Sequence, residues 1–185
     1  MTHDQTFVSG CVIDADNVNF FNQLEVRGER RQIDLLAFRR FLIGERRVQP
    51  AHAVVCTNYL RPMEAALLSG FGFRCVEAKT NCDDLAKSEI RRLVEDEGVN
   101  CLTVCSGDGR AYADLLRELK AKFGIRVHVV SRRFCLSQRL ARLADGISYL
   151  ERFAVRQRRS STDRPLFPWA RQRDARSPVL LREGR

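Results

Sequence analysis

The sequence predicts an α/β fold, with a mostly parallel central sheet and helices on both faces. Three observations carry this. Short apolar, strand-forming runs alternate with longer amphipathic stretches from residue 7 to about residue 153. The strand runs are nearly continuous in apolar residues, as strands covered on both faces are. Gly70, Gly98 and Gly124 follow three of the helical stretches, where a left-handed cap suits glycine.

In chain order, the first strand is predicted at 7–13, ending the run "FVSGCVI". A helix follows at 33–43, then a strand in "AVVCT" at 53–57. Next come a helix at 62–69, a strand at 73–77 and a long helix at 83–97. The fourth strand, "CLTVC", covers 101–105, and a helix covers 111–123. A fifth strand at 126–130, a helix at 137–144 and a weaker strand at 147–150 complete the alternation. The expected organisation is one domain over 7–153 and a basic, flexible tail over 154–185, with no internal repeat.

Composition narrows the class. The chain of 185 residues is 44% apolar, enough for an ordinary core. No run approaches the ~18 apolar residues that span a bilayer. The start, "MTHDQTFVSG", lacks the basic and apolar parts of a signal peptide, so a cytoplasmic location and no membrane partner are expected. Seven cysteines, an odd number, suit that compartment. Cys11, Cys56, Cys75, Cys101 and Cys105 fall in strand-like runs and read as small buried hydrophobes. No cysteine pair has zinc-knuckle spacing and the three histidines are scattered, which argues against a zinc site. Of the net charge of +9, +7 lies between Arg152 and Arg185. That tail, with Arg156, Arg158 and Arg159 at its start and Phe167 and Trp169 further on, suits an arm for phosphate backbones as well as it suits a plain solvated terminus.

The acids are placed where such a sheet keeps its chemistry. Ligands bind outside the carboxyl ends of the strands. "CVIDADNVNF" puts Asp14 at that end of the first strand, followed by Asp16 and Asn17, and "LTVCSGDGR" puts Asp108 at that end of the fourth. The helix at 83–97 has an apolar stripe of Leu85, Ala86, Ile90, Leu93 and Val94 with Glu89 in its middle. An acid there needs an arginine partner, a wet edge or a metal. Asn81 suits an N-cap, and Asp83 and Asp84 suit the first turn, but either acid also lies at the same sheet edge. Three or four carboxylates converging without histidine or cysteine favour Mg²⁺ or Mn²⁺. Joined to a basic arm, they point to a phosphodiester substrate.

"VIDADNVNF", "KTNCDDLAKSE", "LTVCSGDGRAYADLLRELKAKFGIRVHVVS" and "LSQRLARLADGISYLERF", in that order, resemble the NYN domain, the LabA-like branch of the PIN-like nuclease superfamily. The likeness covers residues 8–153 and leaves out the tail. It implies a PIN-like three-layer sandwich and an Mg²⁺- or Mn²⁺-dependent ribonuclease that cleaves RNA through an acidic cleft. It implies catalytic roles for Asp14, Asp83, Glu89 and Asp108, with Asp14, Asp83 and Asp108 on the metal. Asn17, Lys79, Ser106 and Arg110 take the places of residues beside the RNA, and the tail arginines Arg156, Arg158 and Arg159 would add to that contact. PIN-like domains often pair, so a homodimer is compatible with the resemblance, though no residue specifies one. Two departures stand out. Arg110 occupies the place of a second aspartate in the "SGD" motif, and "KTNCDD" is one residue longer than the family's pattern, leaving Asp83 and Asp84 as alternatives.

Two rivals remain. A catalytically degenerate PIN-like RNA-binding or scaffold protein is supported by Arg110. A haloacid-dehalogenase-type phosphatase would use "DADNV" as its Asp-x-Asp start, but Asn17-Val18 replaces the glycine–threonine that follows in that family, and no matching serine, threonine or lysine motif follows.

Overall fold

The structure is a computed structural model that describes residues 6–156 except 19, 22–23 and 27, and gives the backbone alone for Glu25, Arg30 and Arg156. The six expected strands form one sheet: β1 (Ser9–Asp14), β4 (Val48–Thr57), β5 (Arg74–Glu77), β6 (Cys101–Cys105), β7 (Arg126–Ser131) and β8 (Gly146–Tyr149). Every neighbouring pair in it is parallel. Its order, β5-β4-β1-β6-β7-β8, makes β1 the point from which the chain first builds outward one way and then the other. The crevice between the carboxyl ends of β1 and β6 is therefore the topological switch point.

The five expected helices are α1 (Leu35–Gly44), α2 (Pro62–Gly70), α3 (Cys82–Arg91), α4 (Gly109–Phe123) and α5 (Gln138–Leu143). Side chains alternate across each strand and so feed two cores. Cys11, Ile13 and Val55 pack with Phe38 and Leu42 of α1 and Leu68 of α2. Val12, Val54, Val104 and Val129 pack with Ala86 of α3, Leu116 of α4 and Leu140 of α5. The result is a three-layer sandwich.

Several details depart from expectation. A small antiparallel sheet, β2 (Leu24–Val26), β3 (Glu29–Ile33) and β9 (Ala154–Arg156), is added beside the main one. Ile33, expected to open a helix, ends β3, and Asp34 caps α1 by accepting from the Ala37 amide. β9 carries the fold three residues past the boundary expected at 153. The rest of the tail, with Arg158 and Arg159, lies outside the described residues. The stretch expected as one helix to 97 changes to a π-helical turn at Arg92–Asp96. Gly98 and Gly124 take the left-handed conformation, but after α2 it is Gly72 that does so rather than Gly70. Among the described residues no helix is long and apolar enough to cross a membrane.

Candidate active site at the sheet switch point

Asp14 ends β1 at the switch point and is 2% exposed. It is surrounded by donors. One carboxylate oxygen accepts from the Asn17 amide at 3.2 Å and the Cys82 thiol at 3.6 Å. The other accepts from the Tyr112 hydroxyl at 2.9 Å and the Ser106 hydroxyl at 3.4 Å. Burial raises the Asp14 pKa above 3.8; the hydrogen bonds oppose this and the charge of Asp83 adds to it. Tyr112, wholly buried on α4, is likewise raised by burial and by Asp14.

The start of α3 answers the question of the two adjacent acids. The Asn81 side chain accepts from the Asp83 amide and caps the helix. Asp83 then faces the site, with its Oδ1 3.4 Å from the Tyr112 hydroxyl. Asp84 is exposed and pairs with Lys87 at 3.2 Å. Asp14, from the end of β1, and Asp83, from the first turn of α3, thus meet at one phenol.

Asp108 lies at the same edge with a different task. Its Oδ1 accepts from the amides of Arg110 at 2.7 Å and Ala111 at 3.2 Å, capping α4. Asn17 joins the two strand ends: its side-chain oxygen accepts from the Gly107 amide at 2.7 Å. Ser106 bridges Asp14 to the Asp108 amide. Asp16 binds the Thr57 hydroxyl and the Asn58 amide at the end of β4.

Glu89 does not join the cluster. It is 8% exposed, and its carboxylate binds the guanidinium groups of Arg74 and Arg92. Burial alone would raise its pKa, but these two partners outweigh it and hold the acid low. The apolar stripe tolerates this acid because arginines from β5 and the π turn reach it. Lys79 is exposed in the loop before α3.

Beside the acids is a cleft of about 730 Å³ between the β6–α4 and β7–α5 loops. Asn17, Asp108, Arg110 and Arg139 line it, with Cys135 and Ser137 opposite. Arg110 is exposed, and among the described residues no ion pair holds it or Arg139. It therefore neither fills the acidic cluster nor pairs with Glu89. The glycines of "SGDGR" permit this architecture. A Cβ on Gly107 would lie 2.3 Å from the Cys135 carbonyl oxygen, and one on Gly109 1.9 Å from Ser137 Oγ. The Ser137 amide donates to the Gly107 carbonyl at 3.0 Å, closing the two loops on each other.

Among the described residues no group of three or more His, Cys, Asp or Glu side chains is arranged around a common metal position. Of the three expected ligands, Asp14 and Asp83 meet at Tyr112, while Asp108 stands at the same edge and caps α4 through its Oδ1 alone. That pair still fits a small hard cation. Its donors are all oxygen, and Mg²⁺ needs one or two carboxylates beside water and substrate phosphate; burial is the main cause of the raised Asp14 pKa, and the smaller repulsion from Asp83 is what a cation would relieve.

Sequence reasoning missed Tyr112 and Cys82. The signal for Tyr112 was present: a tyrosine on the buried side of a helix needs a partner for its hydroxyl, and it lies four residues after Asp108. Cys82 carried no such signal, because a cysteine at a helix start serves equally as filler.

No family model matches the chain, and no curated protein matches it. It is similar in structure to a crystallised protein of unknown function from Vibrio parahaemolyticus, at 20% identity and a TM-score of 0.67, over 84% of this chain and all of that one. At that identity the likeness concerns the fold, the same α/β three-layer architecture.

Proposed function

We propose that this protein is a divalent-metal-dependent ribonuclease of the NYN type that cleaves RNA phosphodiester bonds at the switch point. The observation that carries the reading is the meeting of Asp14, from the end of β1, and Asp83, from the start of α3, at the Tyr112 hydroxyl. Asn17 and Asp108, at the same edge, line a cleft with Arg110 and Arg139, for which the described residues supply no ion pair. Asp14 and Asp83 would hold Mg²⁺ or Mn²⁺. When bound, such an ion supplies an activated water and charge stabilisation at a phosphoryl oxygen. The chain's own groups do the rest. Tyr112 and Ser106 orient Asp14, Asn17 fixes the loop that follows it against Gly107, and Arg110 and Arg139 bind backbone phosphate. Asp108 keeps α4, and with it Tyr112, in place.

A second reading is favoured by a specific observation. Both oxygens of Asp14 already accept hydrogen bonds from the protein and burial favours its neutral form, as suits a site that binds RNA without cutting it. Incubation of the full chain with labelled single-stranded RNA and millimolar Mn²⁺ or Mg²⁺ separates the two. The proposal expects cleavage that Asp14→Asn and Asp83→Asn each reduce by at least 100-fold. Binding with no cleavage under either metal would establish the second reading instead.

A further inference from the structure

We infer that a second cleft, next to the switch-point cleft, binds single-stranded nucleic acid with Phe134 as the platform on which a base stacks. The inference rests on reading the switch point as a site for a phosphodiester polymer, and it names the form of that polymer.

Phe134, in the β7–α5 loop, is 92% exposed, whereas Phe20, Phe38, Phe41, Phe73 and Phe153 are buried. One exposed phenylalanine alone requires no explanation. The surroundings of this one do. It lines a cleft of about 870 Å³ together with Tyr149, Arg31, Arg133 and Arg152. The Arg133 guanidinium lies 4.5 Å from the Tyr149 ring centroid, and among the described residues no ion pair neutralises it. Arg152 is tied to Glu45, and Arg31 to Glu29. Glu151 is the acid in the cleft, with one oxygen accepting from the Arg133 amide at 2.9 Å. Among the described residues Arg133 is thus the arginine of this cleft without an acid partner, and its guanidinium beside two aromatic rings suits a phosphate next to a stacked base.

The two clefts are lined by successive residues of one loop, between β7 and α5. Arg133 and Phe134 line one, and Cys135 and Ser137 line the other. A strand with phosphates on Arg110 and Arg139 would pass over Phe134 to reach Arg133. Aromatic faces and arginines in alternation bind unpaired nucleotides, because a base in a duplex has no free face to stack.

The test compares fluorescein-labelled oligouridylate with a blunt RNA duplex of equal length, by anisotropy in EDTA so that nothing is cleaved. Phe134→Ala should weaken oligouridylate binding roughly 5- to 150-fold, with the salt slope and the Tm unchanged. Phe134→Trp should restore it, and duplex binding should not respond to either change. Arg133→Ala should lower the slope of log affinity against log salt by about 0.7. Wild-type affinity in Phe134→Ala overturns the inference and leaves the switch-point reading standing. Loss of self-association in that variant, with RNA affinity unchanged, assigns the face to a protein contact and also overturns it. No binding of oligouridylate by wild type overturns both readings, whereas Phe134-dependent binding without Mn²⁺-dependent cleavage removes the nuclease activity alone.

Discussion

Asp14 and Glu89 are both buried acids near an expected site, and their surroundings push them in opposite directions. The folded chain keeps a proton on Asp14 that the unfolded chain loses near 3.8, so its contribution to stability is complete below that value and is lost as pH rises through the higher folded value. Asp14→Asn should therefore raise the Tm of the metal-free protein at pH 7 and abolish any rise on adding Mn²⁺. A wild-type Tm indifferent to millimolar Mn²⁺ would argue against the metal pair. Glu89 has the reverse sign. Its pKa is lowered, so its stabilisation is present above 4.5 and disappears as pH falls through the folded value. Glu89→Gln should cost about 1–3 kcal/mol by weakening bonds to two arginines, with the Mn²⁺ response intact. If the Mn²⁺ response vanished with Glu89, that residue would belong to the site after all. Sequence reasoning identified both acids as special because charge at a strand end or in an apolar stripe needs a reason. It did not separate them, because the arginine that binds Glu89 from β5 lies fifteen positions away.

At the scale of elements, the first turn of α4 does two things at once. Its cap, Asp108, holds the helix that carries Tyr112, and its glycines let the β7–α5 loop close. Asp108→Ala should cost about 1 kcal/mol in urea unfolding, while Asp108→Asn, still a good cap, should cost little. A loss of RNA cleavage in the asparagine variant with stability retained would give the Asp108 charge a role beyond capping. Gly107→Ala should cost about 1–3 kcal/mol, because its Cβ would meet a backbone carbonyl that has nowhere to go. A Gly107→Ala protein as stable as wild type would show that the two loops are not locked together. The helix and its start were legible from "SGD" and the apolar period. The glycines were not, because what they avoid is 28 residues further along the chain.

For the whole molecule, strand order concentrates polar ends at one crevice. β1 and β6 are neighbours although 86 residues lie between Asp14, the end of β1, and Cys101, the start of β6, and the chain reverses its direction of growth between them. In the proposed function the basic tail, residues 154–185, contributes charge to RNA binding. Removing residues 162–185 should leave the Tm near that of the full chain and flatten the salt dependence of RNA binding. An unchanged slope would show that the tail does not touch phosphate. The small sheet formed by β2, β3 and β9 was invisible beforehand: its strands have three to five residues and polar sequences such as "ERRQI", which carry no strand signal until a partner supplies the hydrogen bonds.

The sequence by itself determined the alternation of strand and helix, the two-faced burial of the main sheet and the delivery of Asp14 and Asp108 to one edge. These follow from local periodicity and from the rule that side chains alternate along a strand. Tertiary structure alone decided which acids meet. It joined Asp83 to Asp14 through Tyr112, turned Asp84 to Lys87, gave Glu89 to Arg74 and Arg92, and left Arg110 facing the cleft. A carboxylate's role depends on which distant donor or cation approaches it within about 3 Å, and no local pattern encodes that distance.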